Sequence, residues 1–498
     1  MRMKRILSLM LATLILASMT ISVSAASKVY LYEDFSSYET IRDFIVTMQE
    51  MDERSTAGAI RQRDAGRNFT FGASNGIGDL ANADASTITA SFETSSGIKW
   101  FEFYNHDVVR TETVANMTNS VFYVLSDDTW DYTDNKDEIF IVSYDFKVVP
   151  PAEPIKSGDK TTSYSMATIW ATDGETSSVE DSWFAIERPA NQTYIDLIPY
   201  KDANKNESER FTLTANEPYK LAVGFNYAYA ADEVTPLNYP YKSIAVNGEV
   251  IQNSTNPGQA KNTFTNLLGI KLLPNAYMGE HIANVKMYTV DSAFAVSALD
   301  DTIGILDKIT VKFSHPIYES SFDKEDLIVR KAGGSAISNV SYDVSDVRTV
   351  VDESTDEIYS AFDISFKYGL EPNASYEIVV PNTVKNEIGT TISNNVATFS
   401  TENPANTISS FVTDTGATTF TAGMNTFTAT AGVGNSRAYL IVGIYNGDVL
   451  ESYTFATASE GETLSFSSEI ESGKTVKAFS AGELINLSAL SAVSSITE

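Results

Sequence analysis

Aromatic and acidic side chains alternate with aliphatic ones in four short segments between residues 98 and 197, and this combination could bind sugars. A sugar has a flat apolar face edged by hydroxyls, so its site needs rings for stacking and carboxylates for orientation. In a strand, alternation puts the Trp, Tyr and acidic residues on one face and the Phe and aliphatic residues on the other. The candidate carbohydrate-binding residues are Trp100, Glu102, Tyr104, Trp170, Trp183, Glu187, Tyr194 and Asp196. The alternative is that these rings fill a core between two sheets.

Catalysis on the same face would use a pair of carboxylates. Glycoside hydrolysis needs two of them, about 5 to 9.5 Å apart, and Glu102, Glu187 and Asp196 could supply such a pair. With 65 acidic residues in the chain, however, coincidental pairs are expected, and the clustered E-x-D-x-x-E of laminarinase-type jelly rolls is absent. We therefore favour binding over catalysis and assign no catalytic residue.

Metal ligands are suggested by two acidic loops rather than by histidine. Hard oxygen ligands of the type that Ca²⁺ requires occur at Asp202, Asn204, Asn206 and Glu209, in a pattern that starts like an EF-type loop but lacks its Gly at position 6 and its Glu at position 12. A second acidic run comprises Asp127, Asp128, Asp131, Asp134 and Asp137. Either run could equally be a solvated charged loop. A structural Ca²⁺ at the first loop is the one cofactor that the sequence suggests.

The three histidines carry no comparable signal. His106, His281 and His315 lie far apart and lack the spacing of metal ligands. We expect them to be hydrogen-bonded or solvated at the surface, His315 above all.

Composition excludes several classes of function. The chain has 498 residues, of which 65 are Asp or Glu and 35 are Lys or Arg, so its formal charge is -30. Nucleic-acid binding is excluded because phosphates need clustered cations. The absence of Cys excludes disulfides, thiolate zinc sites and cysteine nucleophiles.

The first residues have the pattern of a signal peptide. Arg2, Lys4 and Arg5 precede a largely apolar stretch at residues 6–21, and residues 23–25 supply the small-x-small cleavage pattern. No second stretch approaches the roughly 20 apolar residues that span a bilayer. We expect residues 1–25 to be removed and the bacterial protein to be extracellular, either secreted or held non-covalently at the cell surface.

Two-residue periodicity dominates the rest of the chain and predicts strands. The dipeptides Asn247-Gly248 and Asn446-Gly447 stand between strand patterns and predict type I′ hairpins, since both central residues need positive φ. One helix is predicted from a capping box that starts at Ser36, with apolar residues at helical spacing up to Met51.

Composition changes divide the mature chain into three modules. All four Trp precede residue 290, residues 291–298 are rich in Ser and Ala, and a polar, Pro-containing break falls at residues 401–406. The predicted fold is all-β, with three tandem β-sandwich domains at residues 26–293, 297–402 and 407–498.

The middle module resembles the bacterial Ig-like domains of S-layer proteins. The resemblance rests on residues 309–317 (ITVKFSHPI), residues 370–378 (LEPNASYEI), Gly389 and residues 397–401 (ATFST). In that family the module is usually a spacer. Leu370, Tyr376, Ile378 and Phe399 are expected to point inward.

The last module resembles a C-terminal accessory β-sandwich of secreted clostridial carbohydrate-active proteins. The match lies in residues 475–484 (TVKAFSAGEL) and the hairpin at residues 438–447 (AYLIVGIYNG). Ala481 and Ala489 stand where that family has tryptophan and proline, so the role of the tryptophan does not carry over.

The first module is similar to concanavalin-like jelly rolls of the lectin and glucanase type. The similar segments are residues 32–35 (YEDF), residues 220–223 (KLAV) with the Asn247-Gly248 hairpin, and residues 282–288 (IANVKMY). Asn284 replaces the usual Asp of the closing strand, which argues against that family's calcium site.

Together these observations predict a non-catalytic carbohydrate-binding protein with an Ig-like spacer. Its partner would be a polysaccharide or cell-wall glycan, with other cell-surface components as further candidates. One alternative is a structural cell-surface or matrix scaffold without a sugar site. The other is a glycoside hydrolase or polysaccharide lyase on the jelly-roll module.

Overall fold

The computed structural model describes most of the chain from residue 27 onward. The residues described are 27–40, 43, 88–105, 122–125, 138–149, 166–172, 178–182, 184–187, 195–199, 211–226, 241–254, 267–273, 279–291, 293–402, 407–434, 436–482, 484 and 493–498. The predicted signal peptide and both predicted calcium loops lie outside these residues. Within them, no helix has the length and hydrophobicity that crossing a bilayer requires.

The first sandwich contains the strands up to residue 290. These strands are β1 (Ser27–Glu33), β2 (Ile88–Ser95), β3 (Ile98–Asn105), β4 (Phe122–Leu125), β5 (Ile139–Val149), β6 (Met166–Thr172), β7 (Ser178–Ser182), β8 (Phe184–Glu187), β9 (Ile195–Pro199), β10 (Phe211–Leu213), β11 (Tyr219–Asn226), β12 (Tyr241–Val246), β13 (Glu249–Ser254), β14 (Leu267–Leu273) and β15 (Gly279–Val290). Its main sheet has the order β13-β12-β11-β5-β15-β1, with β3 also beside β15 and β2 beside β3. Two smaller sheets have the orders β4-β14-β6-β7 and β10-β9-β8.

The main sheet has two chemically different faces, which β5 illustrates. Phe140, Val142 and Phe146 on one face are buried, as an apolar core requires. Ser143 and Lys147 alternate with them and point to the other face, which is called the outer face below. The outer face therefore carries polar side chains at Ser143 and Lys147, beside the buried Ile141.

The second sandwich is built from short strands. They are β16 (Val296–Ala298), β17 (Thr302–Ile303), β18 (Ile309–Phe313), β19 (Ile328–Lys331), β20 (Tyr342–Val344), β21 (Arg348–Asp352), β22 (Glu357–Phe366), β23 (Ser375–Val379) and β24 (Val396–Thr401). Short 3₁₀ helices lie at Glu319–Ser321, Lys324–Asp326 and Asn339–Ser341. The sheet β17-β24-β23-β19 packs its apolar side chains against those of β18 and β22.

A tyrosine corner fixes one end of this sandwich. The hydroxyl oxygen of Tyr376 accepts a hydrogen bond from the backbone N–H of Glu371 at 2.9 Å. Leu370, Tyr376, Ile378 and Phe399 are buried in one core cluster, which confirms their predicted inward orientation. The L-x-P-x-x-x-Y segment is thus a structural corner.

His315 contradicts the expectation of a surface histidine. Its side chain is buried, its ring stacks on Phe294 at 5.1 Å between centroids, and its Nδ1 lies 3.2 Å from Nδ2 of Asn386. No local pattern predicts this burial, because the ring and amide partners come from distant segments. His315 has a packing role at the base of the second sandwich.

The first and second sandwiches share a sheet. Ser27 and Lys28 of β1 pair with Ile358 and Glu357 of β22, so the main sheet continues into β22, β18 and β16. The loop that carries Ile388 packs on the outer face, where a Cβ on Gly224 would come within 3.4 Å of Ile388. The two sandwiches are therefore in direct contact and are not separated by the Ser- and Ala-rich segment.

The third sandwich contains β25 (Ile408–Thr413), β26 (Gly423–Ala431), β27 (Ala438–Asn446), β28 (Val449–Ala458), β29 (Thr463–Ile470), β30 (Thr475–Ala481) and β31 (Ser494–Thr497). They form the sheets β25-β26-β29 and β28-β27-β30-β31. Ile305, from the second sandwich, lies in the apolar core between these sheets. Gly369 approaches the backbone carbonyl of Gly482 so closely that a Cβ would collide with it.

Hairpin predictions are confirmed with one change of turn type. Asn247 and Gly248 both have positive φ, of 51° and 69°, as a type I′ turn needs. At the second hairpin Asn446 pairs with Val449, so the two-residue loop is Gly447-Asp448, with positive φ at Gly447 alone. That arrangement is the type II′ pattern, which has Gly in the first central position.

The predicted helix start at Ser36 is wrong. Residues 36–37 form a turn, and reciprocal hydrogen bonds instead link Thr40 and Asp43, with Thr40 Oγ1 accepting from the Asp43 N–H. This is a capping box at a later position, which satisfies the same orphan donors. The apolar positions of the predicted helix, up to Met51, lie outside the described residues.

The described chain is all-β and forms several β-sandwiches, so the predicted fold class is confirmed.

Candidate functional site

A group of polar side chains gathers on the outer face where β2, β3, β15 and β5 lie side by side. Strand register places Glu102 opposite His281, and His281 opposite Lys147. The β2–β3 hairpin places Glu93 opposite Trp100. Glu93, Glu102 and His281 are called the carboxylate–histidine cluster below. Each of the three contributes one potential ligand atom, and these atoms all lie within 4.8 Å of one another.

The contact between Glu102 and His281 is close but is not a hydrogen bond. Glu102 Oε1 lies 2.9 Å from His281 Nδ1. Both atoms are buried, and neither has a hydrogen-bond partner of acceptable geometry among the described residues. The other carboxylate oxygen, Oε2, accepts a hydrogen bond of 3.2 Å from the Ser91 hydroxyl. Two buried polar atoms are thus in contact without a hydrogen bond among the described residues.

Glu93 and Glu102 behave as a coupled pair of carboxyl groups. Burial raises the pKa of Glu102 to about 7, and the hydrogen bond and negative charge of Glu93 add to the shift. The hydrogen bond from Glu102 lowers the pKa of Glu93. Two carboxylates this close share a proton because both cannot ionise cheaply. Below pH 7 the proton is on Glu102, and Glu93 carries the charge.

His281 is neutral at physiological pH. Burial lowers its pKa to about 4, and the positive charge of Lys147 adds to the shift. A neutral imidazole has a free nitrogen lone pair and is the form that binds metal ions. The histidine is therefore not a cationic partner for Glu102, although the two are in contact.

Trp100 lies beneath this group with 2% of its surface exposed. The ammonium of Lys147 lies 3.9 Å from the centroid of its ring, in the geometry of a cation–π contact. The ring is therefore closed to solvent, and it supports the ammonium of Lys147.

The other predicted sugar-binding residues are distributed over different sheets. Tyr104 lies on β3 opposite Gly279, and Trp170 lies on β6 opposite Glu180. Glu187 on β8 and Asp196 on β9 are direct cross-strand partners. Trp183, Tyr194 and the predicted metal ligands Asp202, Asn204, Asn206 and Glu209 lie outside the described residues.

Asp196 is enclosed in the sheet β10-β9-β8. Its side chain is 3% exposed, and its Oδ1 accepts a hydrogen bond of 3.0 Å from the Thr212 hydroxyl. Ile195 and Leu197 on either side are also buried. The structure thus brings Asp196 together with Glu187 in register, and it places Glu102 and Trp100 in a separate sheet.

Sequence reasoning missed Glu93, His281 and Lys147. A signal for Glu93 was present, because Ser96-Gly97 is a turn dipeptide and both residues have positive φ in the two-residue loop between β2 and β3. That loop fixes Glu93 opposite Trp100. Placing His281 beside Glu102 requires the long-range pairing of β3 with β15, which no local pattern reveals.

A second polar group on the outer face is buried at the joint between sandwiches. Glu387 of the second sandwich contacts Lys286 at 2.6 Å and Lys220 at 3.4 Å, and it accepts hydrogen bonds from Tyr288 and Ser143. Lys286 is 2% exposed and Glu387 1%. Every charge here has a partner, and the group is closed to ligands. We assign it a structural role.

Comparisons with known proteins give no family for this chain. No family model matches it, and none of the curated proteins matches it. Among solved structures, it is similar to the carbohydrate recognition domain of Emp46p (11% identity, 43% of this chain and 95% of that chain, TM-score 0.23). It is also similar to the N-terminal part of the bacterial S-layer protein SbsC (12% identity, 41% and 44%, TM-score 0.18). A third is the receptor binding domain of botulinum neurotoxin type G (8% identity, 59% and 67%, TM-score 0.21).

These identities and TM-scores carry no argument about a ligand or an activity. The function of the site rests on its geometry.

Proposed function

We propose that this protein is an extracellular, non-catalytic carbohydrate-binding protein. In this proposal the first sandwich binds a polysaccharide or cell-wall glycan, the second sandwich is a spacer, and the third docks to a cell-surface component. The observation that carries the proposal is the open patch at the end of the outer face. This patch comprises Ser91, Glu93, Glu102 and Lys147, of which Ser91 and Glu93 are exposed and the other two half-buried.

The chemistry of the open patch suits sugar hydroxyls. Glu93 is charged and accepts hydrogen bonds, Lys147 donates them, and the protonated Glu102 can do both. Charge-assisted hydrogen bonds are about twice as strong as neutral ones, so two or three of them orient a ring firmly. Trp100 below the patch holds Lys147 in position.

The spacer role is supported by the joint between the first two sandwiches. Pairing of β1 with β22 and the buried contact of Glu387 with Lys286 leave little freedom between them. A stiff joint holds a binding face at a fixed distance and angle from the rest of the protein.

The docking role of the third sandwich is supported by an edge strand. β28 lies at the end of its sheet and exposes Val449, Tyr453 and Phe455. Exposed aromatic residues on an unpaired edge are typical of surfaces that bind another protein.

The scaffold alternative is favoured by one observation, the burial of Trp100. If the other predicted rings are enclosed in the same way, the first sandwich has no stacking surface. The hydrolase alternative finds less support, because Glu93 and Glu102 hydrogen-bond to each other and leave no room for a glycosidic bond between them.

The test is a glycan array with the mature chain, residues 26–498, assayed in the same wells for released sugar. We expect retention without release. A glycan that is retained is then titrated by calorimetry against the Glu93→Gln and Lys147→Met variants, and we expect each to weaken binding by about tenfold, the effect of one lost charge-assisted hydrogen bond.

A matched control separates binding from stability. Glu357→Gln removes a half-buried carboxylate of the second sandwich that pairs with Lys312, and we expect it to leave glycan affinity unchanged. Release of sugar would contradict the non-catalytic proposal. Absence of any retention would favour the scaffold alternative.

A structural Ca²⁺ at Asp202, Asn204, Asn206 and Glu209 remains a prediction. Removal of calcium with a chelator should lower the melting temperature if the ion is bound there.

A further inference from the structure

The carboxylate–histidine cluster has a feature that sugar binding does not explain. Glu102 Oε1 and His281 Nδ1 are buried, face each other at 2.9 Å and make no hydrogen bond among the described residues. An unpaired buried polar atom is costly, and two of them in contact are rarely left so. A ligand bound by both atoms would remove this cost.

We propose that the cluster binds a divalent transition-metal ion, Zn²⁺ or an ion of similar chemistry. Glu93, Glu102 and His281 supply two carboxylate oxygens and one imidazole nitrogen, a ligand set that suits such ions. The imidazole disfavours Ca²⁺ and Mg²⁺, which take oxygen ligands.

The distances fit a shared ion. Zn–N and Zn–O bonds are about 2.0 to 2.2 Å, so two ligand atoms on one ion lie about 3 Å apart at a right angle and about 3.4 Å apart in a tetrahedron. The 2.9 Å between Glu102 Oε1 and His281 Nδ1 is close to the first value. The ligand atom of Glu93 is within 4.8 Å of both and belongs to an exposed side chain.

The charge of the cluster also favours a cation. Two carboxylates stand beside one imidazole, so a divalent ion would lie among negative charges. The ammonium of Lys147 contacts the Trp100 ring, which keeps it above the indole.

Three strands position the ligands, which makes the site preorganised. Glu93 and Glu102 come from the two strands of one hairpin, and His281 comes from the strand beside it. Three protein ligands leave coordination positions on the exposed side, and water or another oxygen ligand would fill them.

The experiment is calorimetric titration of the tag-free mature chain with ZnCl₂ at pH 7.5, in the absence of glycan. We expect one Zn²⁺ per chain. Glu93→Gln should weaken binding by about tenfold or more, and His281→Gln should abolish it. Glu357→Gln, whose carboxylate lies on β22, is the matched control and should bind as the unmodified chain does.

X-ray absorption at the zinc edge supplies a second measurement. The spectrum of the loaded chain should contain the scattering pattern of one imidazole ligand, since each chain offers one histidine at the cluster. Zinc binding that survives His281→Gln unchanged, or a spectrum without imidazole, would overturn the proposal. Because no glycan is present, this result is independent of whether the open patch binds sugar.

Discussion

Glu387 Oε1 lies 2.6 Å from Lys286 Nζ across the joint between the first and second sandwiches, and neither side chain is open to solvent. Lys220, which also contacts Glu387, is paired in turn with Asp145 at 2.9 Å. Two carboxylates and two ammonium groups therefore balance inside the protein. Burying them is costly, and only the complete set offsets that cost.

Replacing Glu387 by Gln should strongly destabilise the joint. Two lysines would keep one carboxylate between them, and breaking a buried ion pair from one side costs about 3 to 5 kcal/mol. Urea-induced unfolding of the full chain measures the loss. Glu357→Gln removes a pair with the partly exposed Lys312 and should cost at most about 1 kcal/mol. Equal losses for the two variants would contradict the structural role of Glu387.

The same residue should make stability fall at acid pH. Burial alone would raise the pKa of Glu387, but the charges of Lys286 and Lys220 outweigh it and hold the pKa at about 2. A depressed carboxyl pKa contributes stability that is present above the unfolded value near 4.5 and is lost as pH falls towards 2. Unfolding free energy measured from pH 6 to pH 2 should therefore fall more steeply in the unmodified chain than in Glu387→Gln. Parallel curves would be the contrary result.

Glu102 should have the opposite pH dependence. Its pKa is raised to about 7, so the stability it contributes is present below the unfolded value near 4.5 and is lost as pH rises through 7. Gln cannot ionise, so Glu102→Gln should gain stability relative to the unmodified chain between pH 5 and pH 8. Melting temperatures in metal-free buffer with a chelator test this. A difference that stays constant with pH would show that Glu102 titrates normally.

The close approach of Gly369 to Gly482 predicts a site where no side chain is tolerated. Gly369 has φ of 83°, and a Cβ there would collide with the backbone carbonyl of Gly482 in the third sandwich. Gly333 has φ of 71° with nothing nearby, so Gly333→Ala measures the left-handed penalty alone, about 1 to 2 kcal/mol. Gly369→Ala should cost about 1 to 3 kcal/mol more, from the forced shift of backbone. Thermal unfolding measures the loss of stability in both variants. Equal losses would mean that the backbone around Gly482 can move to make room for the added Cβ.

Local features of this fold were predictable from sequence, and long-range ones were not. The hairpin at Asn247-Gly248 and the corner at Tyr376 are fixed by neighbouring residues, so their patterns are visible in the chain. Alternation also placed Trp100 and Glu102 correctly on one face of β3.

Burial and partnership depend on segments far away in the chain. The cover over Trp100 comes from Lys147 on β5, and the partner of Glu102 is His281 on β15. His315 is buried because Phe294 and Asn386 close around it. No local period encodes which strands become neighbours, so a site assembled across a sheet needs the structure.

The pairing of β1 with β22 sets an order in which this chain can fold. Ser27 lies near the beginning of the mature protein, and its partner Ile358 follows the whole of the first sandwich and half of the second. Contacts of such long sequence separation form late, because loop closure must come first. During synthesis the outer edge of β1 therefore stays without its neighbour until residue 358 has been made. During that interval the edge is open to other chains, and folding of the second sandwich ends this exposure.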